Sequence, residues 1–276
     1  MEIMDKRLYI AILLYIIGSL ALIVAVLSKI FQNYDLFSIS EKKIVILKLY
    51  GTITYSSESV FSNTIPAEKV VEILKNIDND SSVVAVILDI NSRGGTVVGC
   101  YVIEEAIRKM KKPVIAVCDE ECTSGAYLIA SAAKKIFMSK DTLTGSIGVI
   151  LSYLDFSGLL KRFNITYVVI KSGKYKDIGS PYRPLTEKEY KILKEIVDNA
   201  YKNIVRIIER NRNINMSELP EYIREAGIIT GEEAVKYGLA DDIGTLSDVI
   251  DYVNEKYCNN ECRIETIDLR ELSSLF

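Results

Sequence analysis

Four short runs of this sequence are rich in β-branched residues and are apolar at nearly every position. Such runs are typical of strands in a parallel sheet, where helices cover both faces. Two segments between them carry apolar residues at helical spacing, as crossover helices do. The sequence therefore predicts an α/β fold with strands at KIVILKLYG (43–51), VVAVILDI (83–90), PVIAVCDE (113–120) and ITYVVIKSG (165–173), and crossover helices at 67–77 and 97–110.

The C-terminal half also carries helix signals. Residues 186–212 form a long, charged, uninterrupted stretch after Pro184, and Thr186 and Glu189 have the spacing of a capping box. From Ile229 onward the sequence predicts a short helix, a stop at a glycine and a final amphipathic helix. A long charged helix of this kind often packs against a neighbouring element or another subunit.

The N-terminus contains an uncharged apolar segment. From Leu8 to Ser28 there are 21 residues without a charge. In a helix they extend for about 31 Å, the thickness of the hydrocarbon core of a bilayer. We predict a tail at 1–7, a transmembrane anchor at 8–28, a connector at 29–42 and a soluble domain at 43–276; a buried helix or a cleaved signal peptide are the alternatives for the anchor. The flanking basic residues hardly differ between the two sides, so charge alone does not set the orientation.

The amino-acid composition excludes some partners and some types of catalysis. The 34 basic and 37 acidic residues give a net charge of −3, which offers no electrostatic footprint for a phosphate backbone, so no nucleic-acid partner is expected. The chain contains no histidine, which excludes Ser-His-Asp and Cys-His catalysis. Any hydrolase made from this sequence must deprotonate its nucleophile with Lys, Asp, Glu or Tyr.

The five cysteines include two pairs separated by three residues, Cys118 with Cys122 and Cys258 with Cys262. Helical pairs at this spacing suit a disulfide or a metal site, but without histidine a zinc site needs four thiolates from distant segments. We expect most of the cysteines to be buried as small apolar residues. Cys258 and Cys262 are the better disulfide candidates if the domain lies outside the cytoplasm.

Three polar loops are candidates for a site. NSRGGT (91–96) and CTSGAYLIA (122–130) each follow a predicted strand and open a helix, where sites of α/β sheets gather. Gly94 and Gly95 suit an oxyanion-binding loop or an ordinary tight turn. Ser124 suits a nucleophile at a helix N-terminus, although Thr123 or Ser124 as a plain N-cap is the alternative.

The third loop, SGKYKDIGSPYRPLT (172–186), supplies the possible bases. Lys171, Lys174 and Lys176 lie in or beside it. An ordinary lysine has a pKa near 10.4, so a lysine base needs a downward shift of about 3 units, mostly from burial. Local reasoning does not choose among the three lysines, and a solvated surface is the usual place for each.

Together, CTSGAYLIA, TGSIGVI (144–150) and SGKYKDIGSPYRPLT resemble the signature stretches of the signal peptide peptidase A family. These are S49-type Ser-Lys serine proteases of the Clp protease/crotonase superfamily. The likeness covers residues 43 to about 255 and includes NSRGG and TGEEAVKYGLADDIG. It implies a Clp protease/crotonase-like α/β fold of repeated β-β-α units, preceded by one transmembrane helix.

The resemblance assigns roles to particular residues. It implies that Ser124 is the nucleophile, Lys176 the general base and Ser146 a serine that orients the lysine. Gly95 and Gly125 match the amide donors of the oxyanion hole. Neither a cofactor nor a metal is expected. The sequence has Arg93 where relatives often have proline, which bears on the Gly-rich loop but not on the dyad.

The family also implies a biological setting. Its members degrade signal-peptide remnants and other hydrophobic peptides in the membrane, so we expect peptide substrates, a single-pass cell-membrane protein and an extracytoplasmic catalytic domain. Members with one catalytic unit per chain form rings in which neighbouring subunits share each site, so a homo-oligomer is expected. The competing readings are a crotonase-like acyl-CoA hydratase or isomerase, which needs carboxylates at the site, and a non-catalytic membrane scaffold.

Overall fold

The computed structural model describes residues 2–33, 41–56 and 64–272. The chain divides into two compact units, one ending at Glu41 and a larger one beginning at Lys42. Residues 34–40 of the predicted connector at 29–42 lie outside the described residues, and its first five residues belong to the N-terminal helix. The 3₁₀ turn is Met216–Glu218, and the α-helices are α1 Glu2–Asn33, α2 Ala67–Asn79, α3 Val97–Lys109, α4 Gly125–Ser131, α5 Ser157–Arg162, α6 Glu187–Arg212, α7 Glu221–Arg224, α8 Gly231–Lys236, α9 Leu246–Cys258 and α10 Leu269–Leu272.

The first unit is the helix α1. It has no proline to interrupt it, and its segment Leu8–Lys29 is long and apolar enough to cross a membrane by length and composition. The helix that the sequence predicts is therefore present, while its insertion into a membrane stays a prediction.

The second unit is built on an eight-stranded sheet with the order β10-β1-β4-β5-β6-β9, in which every neighbouring pair is parallel. β7 continues beside β5 and pairs antiparallel with β8, while β2 and β3 form a separate parallel pair. The strands are β1 Lys43–Tyr50, β2 Thr52–Thr54, β3 Thr64–Pro66, β4 Val83–Ser92, β5 Val114–Thr123, β6 Lys135–Met138, β7 Leu143–Gly145, β8 Ile228–Thr230, β9 Asp242–Ile243 and β10 Arg263–Asp268.

Apolar layers cover both faces of this sheet. Alternate residues of β1 point to opposite sides, so Val45 and Leu47 join the layer that contains α2, α3 and α4, whereas Ile44 and Ile46 pack with α9. This arrangement explains why the central strands read as continuous apolar runs. The predicted α/β fold is confirmed, as are the strands at 43–51, 83–90 and 113–120.

The predicted helices are confirmed as well. α2, α3 and α6 occupy the expected segments, and the capping box of α6 between Thr186 and Glu189 is formed. The short helix and the final amphipathic helix predicted after Ile229 are α8 and α9. Cys258 and Cys262 form a disulfide at the end of α9, and the other three cysteines are buried thiols.

The predicted strand at 165–173 is wrong. These residues pair with no strand in the part of the chain that the structure describes, and most of their large side chains are exposed, including Ile170, which is 98% exposed. An apolar run predicts that its side chains are buried but does not identify the element that buries them. In this subunit the sheet does not bury the side chains of residues 165–173.

Candidate active site

Ser124 lies at the sharp turn between β5 and α4. Its backbone has φ 54° and ψ −120°, a conformation that costs a non-glycine residue on the order of 1–3 kcal/mol. Ser124 N donates to the Gly145 carbonyl oxygen at 2.8 Å, and the Ser124 carbonyl oxygen accepts from Leu128 N at 3.1 Å. The surrounding backbone thus holds a strained serine at a strand-to-helix turn, as unrelated hydrolases do with their nucleophiles.

The side chain of Ser124 does not act as a helix cap. An N-cap serine normally has an extended backbone and accepts a hydrogen bond from an amide in the first turn. At α4 no side-chain cap bond is formed. The side chain is half-buried, and its hydroxyl has no hydrogen-bond partner in the described segments. The plain N-cap alternative therefore does not explain this serine.

Two backbone amides lie next to this turn without an oxygen acceptor. In the loop after β4, Gly94 N donates to Ser92 Oγ at 3.0 Å, and Thr96 N donates to the Ile53 carbonyl oxygen at 2.9 Å. Within residues 41–56 and 64–272, neither Gly95 N nor Gly125 N donates to an oxygen. Neither amide is therefore committed to an oxygen acceptor, although Gly95 N lies close to the Cys100 thiol.

The two glycine loops are packed closely. A methyl group added to Gly94 would lie 2.5 Å from Gly125 N, and one added to Gly125 would lie 3.4 Å from Gly95 N. A methyl group on Gly95 would lie only 1.8 Å from the Ile53 carbonyl oxygen. Glycine is thus required sterically, and the ordinary-turn alternative does not account for this contact with α4.

Cys100 of α3 supports this contact from behind, which the sequence alone did not indicate. Its Sγ would lie 2.3 Å from a methyl group on Gly125, so the thiol already touches the glycine. Burial raises the pKa of Cys100 to about 12, opposed by the backbone amide of Gly95. The side chain is therefore a neutral, buried spacer between the two glycine loops.

Ser146 follows β7, which pairs with the end of β5. It has φ 48° and is half-buried, and its amide donates to the Gly227 carbonyl oxygen at 2.8 Å. The preceding residue, Gly145, accepts the Ser124 amide. The backbone therefore brings the segments that carry Ser146 and Ser124 side by side, while the role of Ser146 in orienting the lysine stays a prediction.

Lys176 lies in a turn after residue 170, and its side chain is exposed. In the described part of the chain its ammonium group has no hydrogen bond or ion pair, and nothing links it to Ser124. Lys171 differs, because it pairs with Asp177 and donates to the Lys174 carbonyl oxygen at 3.1 Å. The single subunit thus brings Ser124, Ser146, Gly95 and Gly125 to one region but leaves Lys176 without a contact to them.

An ion-pair network fixes the turn that carries Lys176. The Arg183 guanidinium donates to both carboxylate oxygens of Asp177, each at 2.8 Å, and to Glu189 at 2.7 and 3.0 Å. Glu189 also completes the capping box of α6. Arg183 lowers the pKa of Glu189 to about 2, with help from the Thr186 amide. Sequence reasoning missed this network, although Asp177 and Arg183 lie in the SGKYKDIGSPYRPLT loop and Glu189 lies three residues after it.

Residues 150–170, which we call the apolar arm, precede this turn. Ile150, Val168 and Ile170 are 90%, 76% and 98% exposed. Other large apolar side chains of the arm are also exposed: Leu151, Tyr153, Leu154, Phe156, Leu159, Phe163, Ile165, Tyr167 and Val169. So many exposed apolar groups in one continuous segment mark an interaction surface.

The arrangement around Ser124 suits acyl transfer. It offers a hydroxyl on a strained backbone at a helix N-terminus and two nearby amides without an oxygen acceptor, which together resemble a nucleophile and an oxyanion hole. The described residues contain no cluster of three or more potential metal ligands. Among residues 41–56 and 64–272 of one subunit, no base contacts the Ser124 hydroxyl.

Comparison with known proteins identifies the family. Residues 106–257 match the profile of peptidase family S49, and residues 46–142 match that of Clp protease. A Methanocaldococcus jannaschii protein described as a protease is 31% identical over 98% of this chain and 89% of its own length. An Enterococcus faecium protein described as signal peptide peptidase SppA is 36% identical over 79% of this chain, which spans 64% of that protein.

A solved structure supports the fold. A mutant of the 1510-N membrane-bound stomatin-specific protease superposes with a TM-score of 0.55 at 16% identity, covering 83% of this chain and 98% of that one. At this identity the likeness concerns the fold alone, which is that of the Clp proteases. The chain therefore belongs to peptidase family S49, the signal peptide peptidase A family of serine proteases.

Proposed function

We propose that this serine protease is a membrane-anchored endopeptidase with Ser124 as nucleophile and Lys176 as general base. The observation that carries the proposal is the Ser124 turn, where a strained backbone presents a hydroxyl beside two glycine amides that donate to no oxygen in the described residues. Maintaining such a conformation costs free energy that an ordinary turn would avoid. A role of Ser124 as nucleophile explains why the protein keeps this costly conformation.

The acylation step uses these groups in order. Ser124 Oγ attacks the carbonyl carbon of a peptide bond while its proton passes to the neutral amine of Lys176. The amides of Gly95 and Gly125 donate to the oxyanion of the tetrahedral intermediate. The Lys176 ammonium then protonates the departing amine, the C–N bond breaks, and an ester of Ser124 remains.

Deacylation repeats the sequence with water. Lys176 takes a proton from water, the hydroxide attacks the ester carbonyl, and Ser124 leaves with the proton returned by Lys176. Ser146 orients the lysine amine by a hydrogen bond. Removal of one amide donor in such a site usually costs about 10²–10³ in kcat.

We infer that the dyad is completed between copies of the chain. Lys176 is exposed in one subunit, and a lysine acts as a base only where burial favours its neutral form. The apolar arm leads directly to the turn with Lys176, and its exposed side chains suit a homo-oligomeric interface. Two phage proteins similar to this chain are described as a head-tail preconnector protein and a capsid assembly protease.

The interface is tested by paired charge substitutions. Val168→Asp with Ile170→Asp places carboxylates where the arm would be covered. Lys140→Gln with Lys236→Gln lowers the net charge by the same two units at exposed positions outside the arm and is the control. The first pair should sediment as monomers in analytical ultracentrifugation and should not hydrolyse peptides. An active monomer, or an assembly unaffected by both aspartates, would contradict the proposed interface.

For substrates we propose cleaved signal peptides and other hydrophobic peptides. The similarity to proteins described as signal peptide peptidases supports this class. Next to the Gly95 loop, Val98 and Tyr101 of α3 are 57% and 42% exposed and offer apolar contact area. A panel of fluorogenic peptides should therefore show higher kcat/KM for small and apolar residues at the cleaved bond than for charged ones.

For location we propose a single-pass cell-membrane protein with an extracytoplasmic catalytic domain. α1 supplies a segment long enough for the anchor, and the Cys258–Cys262 disulfide fits an oxidising compartment. Cysteines introduced at exposed positions such as Lys140 and Lys236 should react with a membrane-impermeant maleimide on intact cells. Labelling that required lysis would place the domain on the cytoplasmic side.

The dyad is tested with the full chain in neutral detergent. Ser124→Ala and Lys176→Ala should each abolish hydrolysis of an apolar fluorogenic peptide, while Lys174→Ala is the matched control from the same turn and should retain activity. Circular dichroism and sedimentation establish that each variant folds and assembles. Hydrolysis that survives in both alanine variants would require another nucleophile.

A further inference from the structure

A pocket lies apart from the Ser124 region, at the edge of the sheet where the strands begin. Its volume is about 460 Å³, and it lies beside the first residues of β4 and β5, at Val84 and Val114. That volume is in the range of small-molecule sites, about 300–1,000 Å³. Its floor is apolar, with Ile107 and Met110 from the end of α3 and the residue after it.

The charged residues that line this pocket are all basic, and the nearby Asp78 carboxylate accepts hydrogen bonds from the Lys111 and Lys112 backbone amides. Its lining includes Arg108, Lys111, Lys112 and Lys134 and no acidic residue. This local excess contrasts with the net charge of −3 of the whole chain. An apolar floor with a cationic rim fits an anion that carries an apolar group.

Three of the four cations are available to a ligand. Arg108, Lys111 and Lys134 are exposed, and in the described part of the chain none of their side chains forms a salt bridge with a carboxylate. Lys112 instead donates to the backbone carbonyl oxygens of Asp80 and Val83, so its role is structural.

Tyr257 of α9 adds an unused polar group to the lining. Its hydroxyl is buried and has no hydrogen-bond partner in the described segments. A buried polar group without a partner costs about 1–3 kcal/mol. An anion oxygen would supply the missing acceptor. The Lys134 ammonium lies 6.0 Å from the centre of the Tyr257 ring, so the two groups belong to one cluster.

We propose that this pocket binds the phosphate headgroup of an anionic membrane lipid. Arg108, Lys111 and Lys134 hold the phosphate, and the glycerol and first acyl carbons cover the apolar floor, which inorganic phosphate alone would leave bare. The strands begin at this edge, and β1 is the strand that follows α1 in sequence. The choice of a lipid rests on the proposed membrane anchor, whereas the pocket itself does not.

The test uses the full chain in neutral detergent and water-soluble dihexanoyl phosphatidylglycerol, so it depends on neither catalysis nor membrane insertion. The readout is the rate at which an amine-reactive reagent labels Lys111, with exposed Lys236 as reference in the same sample. Phosphatidylglycerol should slow labelling of Lys111 in a saturable way and leave Lys236 unchanged. Dihexanoyl phosphatidylcholine and inorganic phosphate should protect far less.

Variants identify the groups that bind. Arg108→Gln with Lys134→Gln should weaken phosphatidylglycerol binding about 30-fold, as expected for two basic groups near a headgroup. Lys140→Gln with Lys236→Gln removes the same charge from residues that do not line the pocket and should leave phosphatidylglycerol binding nearly unchanged. Because Lys236 is replaced in this control, exposed Lys75 serves as the reference for the labelling rate. Tyr257→Phe should also weaken binding without lowering the thermal stability of the free protein.

Three results would overturn the proposal. Equal protection by phosphatidylcholine and phosphatidylglycerol, or none by either, would mean that the pocket does not recognise the headgroup. Equal protection by inorganic phosphate would make it a site for soluble anions rather than lipids. An equal loss in the Lys140/Lys236 control would reduce the effect to general charge attraction. Peptide hydrolysis by the same samples separately reports on the proposed protease function.

Discussion

Asp89 provides a stability prediction with a defined sign. It lies in β4 with no exposed surface, and Tyr50 donates to its Oδ2 at 2.9 Å. Burial raises the pKa of Asp89 to about 6, and the charge of Asp119 in β5 adds to this increase, while Tyr50 and Lys48 oppose it. Burial also raises the pKa of Asp119. Asp89 therefore favours its protonated form, and its Oδ1 has no hydrogen-bond partner in the described residues.

The sign follows from linkage. The folded protein holds the Asp89 proton more tightly than the unfolded chain, whose value is 3.8. The resulting stabilisation is complete below the unfolded pKa and is lost as the pH rises through 6. The difference corresponds to at most about 3 kcal/mol between low pH and pH 8. Above pH 6 the ionised Asp89 is thus a destabilising group.

Asp89→Asn removes this ionisation and keeps a carbonyl acceptor for Tyr50. At pH 8 the variant should be more stable than the wild type by up to about 3 kcal/mol, or roughly 6–12 °C in Tm. Near pH 5 the advantage should shrink, because Asp89 is then mostly protonated. Thermal melts followed by circular dichroism at both pH values measure the difference in Tm between the variant and the wild type. Asp251→Asn, on the exposed side of α9, is the control for loss of a charge.

The reasoning is refuted if Asp89→Asn destabilises the protein at pH 8, or if its effect is the same at pH 5 and pH 8. The first result would mean that an ionised Asp89 makes favourable contacts that outweigh its burial. The second would mean that its proton is not taken up on folding. Neither outcome depends on whether the protein is an active protease.

Other predictions address the glycine loops and the disulfide. Gly95→Ala forces a methyl group against the Ile53 carbonyl oxygen and should lower kcat about 10²–10³-fold, measured by peptide hydrolysis; near-normal kcat would remove Gly95 from the oxyanion hole. Cys100→Val should displace Gly125 and lower kcat with little change in KM, whereas Cys100→Ala should retain most activity. Equal losses of activity in the two variants would indicate a general packing defect. Reducing the Cys258–Cys262 disulfide, which closes a short loop, should cost at most about 2 kcal/mol, seen as a lower Tm in reductant; a larger loss would mean that it supports more than the end of α9.

Much of the fold was predictable because its signals are local. The strands at 43–51, 83–90 and 113–120 are buried on both faces, and that burial requires apolar residues at nearly every position. The start of α6 was equally clear, since the Thr186 and Glu189 side chains satisfy the first amides of the helix. Residues 165–173 have the same apolar pattern as the strands, but here the pattern does not correspond to a strand.

The site was predictable in its residue types but not in its geometry. The residues around Ser124 suggested a helix start, yet its positive φ depends on hydrogen bonds with Gly145 and Leu128. The contact between Cys100 and Gly125 depends on how closely α3 approaches α4. Neither distance is a property of a local sequence window. The choice of Lys176 among three neighbouring lysines came from family resemblance, and its contacts in one subunit do not test it.

Mixing two inactive variants tests most directly the claim that Ser124 and Lys176 form a dyad between subunits. Ser124→Ala and Lys176→Ala chains are combined, dissociated and reassembled, and mixed assemblies are verified by cross-linking. Random reassembly should restore about a quarter of the wild-type activity, because one neighbour pair in four joins an intact serine to an intact lysine. Mixed assemblies that remain inactive would contradict a site shared between subunits.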